Sequence, residues 1–199
     1  MELYCPKFMK TQASFFDYHK TKDIQRQYGR TWHGGAESKG HRKNYRPLAE
    51  RKWIHLVLKS HKAKGSWSFL TPQNQALIQK VLTERAKKWG VQIAEIVNVG
   101  NHLHLKCRFK YREGFQNFLR SVTSLIARGI TQSRRGVKVG KFWQGLAFTR
   151  VLKTSFEELQ LKGYFKANLR EAQKGPKARE EFLDKFNAWV HRLRYASTA

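Results

Sequence analysis

The chain has 199 residues, of which 40 are Lys or Arg and 14 are Asp or Glu, so its formal net charge is +26. So large an excess of positive charge opposes compaction unless a polyanion shares the surface, which makes nucleic acid the leading partner and an acidic membrane surface the second. No run approaches the ~18 consecutive apolar residues of a membrane-spanning helix. The two cysteines, Cys5 and Cys107, fit neither a zinc spacing nor a disulfide framework. We therefore expect a cytoplasmic protein without a secretory signal that acts on nucleic acid.

Residues 1–50 differ in composition from the sequence that follows. The stretch "YGRTWHGGAESKGHRKNYRP" is rich in Gly, His, Arg and Lys and has no helical or strand period. This composition is typical of a disordered tail or of a basic arm along a phosphate backbone, and the net charge favours the arm. We predict a largely extended basic arm over residues 1–50, in which Trp32 and Tyr45 stack on unpaired bases. The cations predicted to hold the backbone are Arg30, Lys39, Arg42, Lys43 and Arg46.

The first half of the remaining chain predicts a strand, a helix and a hairpin. The apolar, β-branched run "KWIHLVLKSH" is typical of a strand. The segment "TPQNQALIQKVLTERAKKWG" predicts a helix with Thr71 as N-cap, Pro72 at its first position and Gly90 at its end. "VQIAEIVNVG" and "NHLHLKCRFK" then predict two strands joined by a tight turn at Gly100 and Asn101.

The second half predicts two further helices around a strand, and then a final helix. "REGFQNFLRSVTSLIARGITQSRRG" is amphipathic, and "GKFWQGLAFTRVLKT" predicts the fourth strand. The next helix is predicted to begin at a Ser155 cap, with Glu158 three residues later as a capping box, and residues 176–199 predict a last amphipathic helix. This order is that of the ferredoxin-like βαββαβ fold, an α+β fold whose antiparallel sheet carries helices on one face and leaves the other free.

The strand "NHLHLKCRFK" has two faces of different chemistry. Residues alternate across a strand, so Leu103, Leu105, Cys107 and Phe109 face the core. The opposite face carries only histidines and cations: His102, His104, Lys106, Arg108 and Lys110. A polar sheet surface is the plain interpretation. The alternative is that both imidazoles reach one divalent ion with open coordination positions, while the cations contact a phosphate chain.

The helix that follows the fourth strand offers two groups that could complete such a site. Tyr164 and Asn168 are four residues apart and therefore lie on the same helix face. Asn168 could give a carbonyl oxygen to a metal, and Tyr164 an oxygen nucleophile beside it. From this helix alone, the favoured interpretation is that Tyr164 and Phe165 are core aromatics and that Asn168 is a neutral surface residue.

Together, "NHLHL" and the later Tyr-x-x-x-Asn helix resemble the HUH endonucleases, and within them the single-tyrosine transposases of insertion sequences. The resemblance runs from about Lys52 to Gln173, and it is closest to the REP-associated tyrosine transposases, whose N-terminal arms are also rich in Gly and Arg. It implies that residues 51–175 form the catalytic domain. It also implies that His102, His104 and Asn168 are metal ligands and that Tyr164 is the nucleophile. Many relatives carry Gln where this chain has Asn168.

The resemblance further implies cleavage of single-stranded DNA beside a hairpin. Mg²⁺ or Mn²⁺ would polarise the scissile phosphate, and Tyr164 would attack it to form a 5′-phosphotyrosine link and a free 3′-hydroxyl. A homodimer is possible, since some relatives complete each site with the tyrosine helix of a partner. Two alternatives stay open: a non-catalytic single-strand-binding module with an RRM-like sheet, and a domesticated transposase that binds hairpins without cutting them.

Overall fold

The computed structural model of the chain describes residues 32–35, 46–133 and 140–195, with the backbone alone described for 191–195. Within these ranges the chain forms five strands and four α-helices, an α+β arrangement. The strands are β1 (Trp32–His33), β2 (Ile54–Lys59), β3 (Val91–Asn98), β4 (His102–Phe109) and β5 (Phe148–Val151). The helices are α1 (Pro72–Trp89), α2 (Arg112–Thr131), α3 (Ser155–Lys174) and α4 (Pro176–Tyr195).

The strands form one antiparallel sheet in the order β1-β5-β2-β4-β3. From β2 to β5 the chain follows the predicted order of strand, helix, strand, strand, helix and strand. The last of these strands is shorter than predicted, because only Phe148–Val151 pairs. Upstream of it Gly140 and Gly145 have φ of +69° and +70°, which is a left-handed conformation that cannot continue a strand.

The helix ends follow local capping chemistry, with one correction. Thr71 caps α1 and accepts a hydrogen bond from the Asn74 amide, and Gly90 ends the helix with φ of +63°, as predicted. The predicted Ser155 cap of α3 is wrong by one residue. Thr154 is the N-cap and accepts from the Glu157 amide, while the Glu157 carboxylate accepts from the Lys153 amide at 2.6 Å, one residue before the N-cap.

The main core lies between the sheet and the pair α1 and α2. Leu103, Leu105 and Cys107 of β4 are fully buried in it, together with Phe115 and Phe118 of α2. The predicted alternation of β4 is therefore correct on its apolar side.

The opposite face of the sheet is covered by α3, so the prediction of a free face is wrong. α3 brings its own apolar side chains, Leu161 and Phe165, which are 2% and 0% exposed. Beneath it His104 is 0% exposed, and Lys106 pairs with Glu158 of α3 at 2.6 Å. Burying these apolar side chains stabilises the protein more than leaving the sheet open to water.

Part of the segment predicted to be a free arm belongs to the sheet. Trp32 and His33 form the edge strand β1 beside β5. The Arg46 guanidinium donates to the Ala147 carbonyl at 2.9 Å and to Thr149 Oγ1 at 2.7 Å, and burial lowers the pKa of Arg46 to about 10. The packed region therefore begins before residue 51. Other residues predicted to lie in the arm fall outside the described ranges: Arg30, Lys39, Arg42, Lys43 and Tyr45.

The predicted final helix is α4, which packs on α3 through a close contact at Gly163. A Cβ at Gly163 would lie 2.2 Å from the Phe186 ring, so only glycine lets that ring approach. Phe186 also lies 5.8 Å from each of the Phe182 and Trp189 rings. Within the part of the chain that the structure describes, none of the helices has the length and apolar composition to cross a membrane.

Candidate active site

The β3–β4 hairpin positions the two histidines of "NHLHL". Gly100 has φ of +93° in the turn, which glycine adopts without strain. His102 and His104 then lie opposite Lys59 and Val57 of β2, on the face covered by α3. Their ring centroids are 4.7 Å apart with the planes at 77°. The hairpin therefore brings both imidazoles to one location, as the spacing predicted.

Helix α3 brings Tyr164 and Asn168 over the same histidines. The Tyr164 and His104 ring centroids are 5.4 Å apart, and Asn168 Nδ2 lies 3.3 Å from His104 Nε2. One chain thus assembles all four residues that the sequence singled out, from β4 and α3. Their roles as ligands and nucleophile remain predictions.

A third histidine, His55 of β2, belongs to this cluster and was missed from the sequence. His55 Nε2 lies 3.1 Å from His104 Nδ1, and the two rings stack with centroids 5.3 Å apart. His55 lies in the apolar run "KWIHLVLKSH" on the strand face that α3 covers. Its proximity to His104 follows from the pairing of β2 with β4, which no local pattern of the run indicates.

Burial favours the neutral form of all three imidazoles. Burial lowers the pKa of His55 to about 3, with the Arg150 charge adding to the effect, and lowers that of His102 to about 4, with Lys59 adding. Burial also places the pKa of His104 well below its usual value, with contributions from the neighbouring histidines and from Lys59 and Arg179. Neutral imidazole is the form that binds metal ions.

Hydrogen bonds at the ring nitrogens indicate which nitrogen of each motif histidine carries a proton and which carries a lone pair. The Asn101 Oδ1 atom lies 2.5 Å from His102 Nδ1. A carbonyl oxygen can only accept, so His102 carries its proton on Nδ1 and its lone pair on Nε2. For His104 the Nδ1 atom faces His55 and the Nε2 atom faces Asn168.

The donor set fits a divalent ion that accepts imidazole. His102 and His104 offer two ring nitrogens. Asn168 would add an amide oxygen only after rotation of its amide, because its Nδ2 group faces His104 Nε2. Among the described residues, no three His, Cys, Asp or Glu side chains are arranged to hold a metal ion. A metal here would therefore depend on the amide of Asn168 and on oxygens supplied by substrate or water.

The cluster is almost closed to solvent. Tyr164 is 1% exposed and Asn168 3% exposed. The rings of Tyr164 and Phe165 lie 6.0 and 5.4 Å from His55. A phosphodiester can reach the Tyr164 oxygen only if α3 or a neighbouring side chain shifts.

The basic residues of β4 are partly engaged within the protein. Lys106 pairs with Glu158 at 2.6 Å, while Lys106 and Arg108 lie 4.9 and 4.6 Å from the centre of the Trp53 ring. Arg108 Nε also donates to Gln92 Oε1 at 2.7 Å, yet its side chain remains exposed. Lys110 is exposed at the end of the row. Arg108 and Lys110 are therefore better placed than Lys106 to meet a partner.

Among the comparisons with known proteins, those with solved structures are informative. No protein-family model matches the chain, and no curated protein matches it. Among solved structures, the chain is similar to a REP-associated tyrosine transposase bound to a REP hairpin. The TM-score is 0.54 with 13% sequence identity, and the match covers 69% of this chain and 77% of that one. At this identity the similarity shows a shared fold.

Proposed function

We propose that this protein is a single-stranded DNA nuclease and strand transferase that uses Tyr164 as its nucleophile. The observation that carries the proposal is the convergence of Tyr164, Asn168, His102 and His104 in one cluster. The shared fold with a tyrosine transposase supports it. Fold alone does not imply function, so the proposal rests on the residues of the site.

The proposed reaction is a transesterification. The phenolic oxygen of Tyr164 gives up its proton and attacks the scissile phosphorus in line. The bond to the 3′ oxygen breaks, and that oxygen takes up a proton, so that no net proton is gained or lost. The product is a 5′-phosphotyrosine and a free 3′-hydroxyl, whose later attack on the link rejoins a strand without ATP. A divalent ion at His102, His104 and Asn168 would supply charge stabilisation at the phosphate. Positioning by α3 contributes because it holds nucleophile and ligand on the same helix face.

The proposed substrate is single-stranded DNA next to a hairpin. The structural neighbour is bound to a hairpin, and the formal charge of +26 favours a polyanion. The exposed cations Arg108, of β4, and Lys110, which follows β4, would contact the DNA backbone together with the cations of the arm. A second copy of the chain is not needed to supply the tyrosine, because one chain contains the whole cluster. The homodimer stays a prediction. The cytoplasmic location also stays a prediction.

A second candidate is favoured by the burial of the tyrosine. Because Tyr164 is 1% exposed, it has the environment of a core aromatic, and a domesticated protein that binds hairpins without cutting them would show the same environment. An RRM-like binding mode is disfavoured, since such modules use an open sheet face, and here α3 covers that face.

A denaturing gel separates these functions. The protein is incubated with labelled single-stranded hairpin oligonucleotides from its own genomic flanks, with Mn²⁺, Mg²⁺ or EDTA. The proposal expects a metal-dependent adduct that survives denaturant. His104→Ala should abolish the adduct, while His61→Ala, at an exposed histidine outside the cluster, should preserve it. Tight binding with no adduct across the panel would support the non-cutting candidate instead.

A further inference from the structure

His55 and His104 form a buried hydrogen-bonded pair beneath α3. Their side chains are 1% and 0% exposed, and His55 Nε2 lies 3.1 Å from His104 Nδ1. At that distance one nitrogen must donate and the other must accept, since two lone pairs or two N–H groups would repel. Which one donates decides where the proton of His104 lies, and so which nitrogen of His104 keeps its lone pair.

The contact on the other side of His104 indicates the direction. Asn168 presents its Nδ2 group to His104 Nε2 at 3.3 Å. An amide NH₂ only donates, so in this arrangement His104 Nε2 accepts and the proton of His104 lies on Nδ1. His104 Nδ1–H then donates to His55 Nε2. In the reverse arrangement of the metal-free site, the Asn168 oxygen would face His104 Nε2 directly and accept a proton from it, and that nitrogen would then be blocked as a ligand.

His102 shows the same pattern through a different partner. Its Nδ1–H donates to Asn101 Oδ1. Both histidines of the motif then carry an outward hydrogen bond at Nδ1 and a lone pair at Nε2. Histidines that bind metal ions usually have this pattern, in which a partner of the second nitrogen fixes the tautomer and the ring orientation.

We propose that His55 is a positioning residue whose Nε2 accepts the Nδ1–H of His104. This bond keeps the lone pair of His104 Nε2 directed at the Tyr164–Asn168 side of the cluster, where a divalent ion would bind. The metal-binding part rests on the proposed function; the tautomer of His104 does not. The packing of the Tyr164 and Phe165 rings against His55, at 6.0 and 5.4 Å, fixes its orientation. A neutral partner also avoids the cost of burying a carboxylate on this face.

Nitrogen NMR of the metal-free protein tests the tautomer directly. Long-range ¹H–¹⁵N spectra of ¹⁵N-histidine-labelled protein distinguish protonated from unprotonated ring nitrogens. We expect His104 to be protonated on Nδ1 in the wild-type protein. His104 protonated on Nε2 would overturn the proposal, and this measurement needs no variant to fold.

Two variants then test the role of His55 as an acceptor. His55→Phe preserves an aromatic ring but removes the acceptor, so the Nδ1–H preference of His104 should be lost. Mn²⁺ affinity, measured by titration without DNA, should fall by about 10- to 100-fold, as for other partners of metal-bound histidines. His55→Gln restores an acceptor at similar reach and should recover both quantities. Unchanged tautomer and Mn²⁺ affinity in His55→Phe, or wild-type protein that binds no Mn²⁺, would overturn the assigned role.

The role of His55 can be confirmed or overturned independently of the proposed nuclease function. Neither the tautomer nor the Mn²⁺ affinity requires DNA or cleavage. If both behave as expected and no DNA adduct ever forms, the nuclease proposal fails while the role of His55 stands. If adducts form and His55→Phe leaves the tautomer and the Mn²⁺ affinity intact, the role of His55 fails while the nuclease proposal stands.

Discussion

The first turn of α3 carries two adjacent glutamates whose ion pairs differ in burial, and this difference predicts different energetic roles. Glu157 Oε1 lies 2.8 Å from Arg150 of β5, with side chains 15% and 6% exposed. Glu158 lies 2.6 Å from Lys106 of β4, with side chains 34% and 18% exposed. The distances are similar, so burial is the variable that separates them.

Glu157→Gln should destabilise the protein far more than Glu158→Gln. Removing the charge of Glu157 leaves the buried Arg150 guanidinium without a counter-charge, which costs about 3–5 kcal/mol. Glu157 Oε2 also accepts from the Lys153 amide at 2.6 Å, and the single acceptor oxygen of a glutamine can preserve only one of the two bonds. The more exposed pair of Glu158 should contribute about 1 kcal/mol or less.

Urea unfolding of the two variants at low and high salt measures this difference. We expect a large loss of unfolding free energy for Glu157→Gln that salt hardly changes, because the pair is shielded from ions. The small loss for Glu158→Gln should shrink as salt rises. Equal losses for the two variants, or a loss for Glu157→Gln that salt removes, would show that burial of the Glu157–Arg150 pair does not anchor α3.

Three further predictions concern DNA contact, helix packing and thiol reactivity. Arg108→Ala should weaken single-strand binding and reduce the slope of log affinity against log salt by about 0.7, and an unchanged slope would exclude a phosphate contact. Gly163→Ala gains about 1 kcal/mol of helix propensity but overpacks the Phe186 ring at a cost of about 1–3 kcal/mol. The melting temperature should therefore fall, and adding Phe186→Leu to this variant should partly restore it. Burial raises the pKa of Cys107 to about 12, so its thiol should resist alkylation at pH 8 until the protein unfolds; rapid reaction in the folded state would contradict that burial.

The sequence predicted the placement of side chains correctly where local periodicity determines it. The alternation of "HLHLKCRF" placed Leu103 and Leu105 in the core and both histidines on the other face. The four-residue spacing of Tyr164 and Asn168 placed them on one helix face. These patterns depend on strand and helix geometry alone, so they could be predicted before any tertiary contact was known.

Other features depend on contacts between segments distant in sequence. The pairing of His55 with His104 requires the register of β2 against β4, and the two residues are 49 positions apart. The covering of the sheet by α3 depends on which face of α3 packs inward. The edge strand β1 is two residues long, which is too short for a periodic pattern, and Arg46 joins the sheet through bonds to residues about a hundred positions later.

A Tyr164 nucleophile becomes covalently linked to DNA, and mass spectrometry of the adduct identifies the linked residue. Protein trapped with a hairpin oligonucleotide and Mn²⁺ is digested with protease and nuclease, and tandem spectra locate the residue that carries the 5′-phosphate. Tyr111→Phe, at a tyrosine 62% exposed, serves as the matched control for Tyr164→Phe. We predict the phosphate on Tyr164 and loss of adduct in Tyr164→Phe alone. A phosphate on another residue, or an adduct that persists in Tyr164→Phe, would contradict the account.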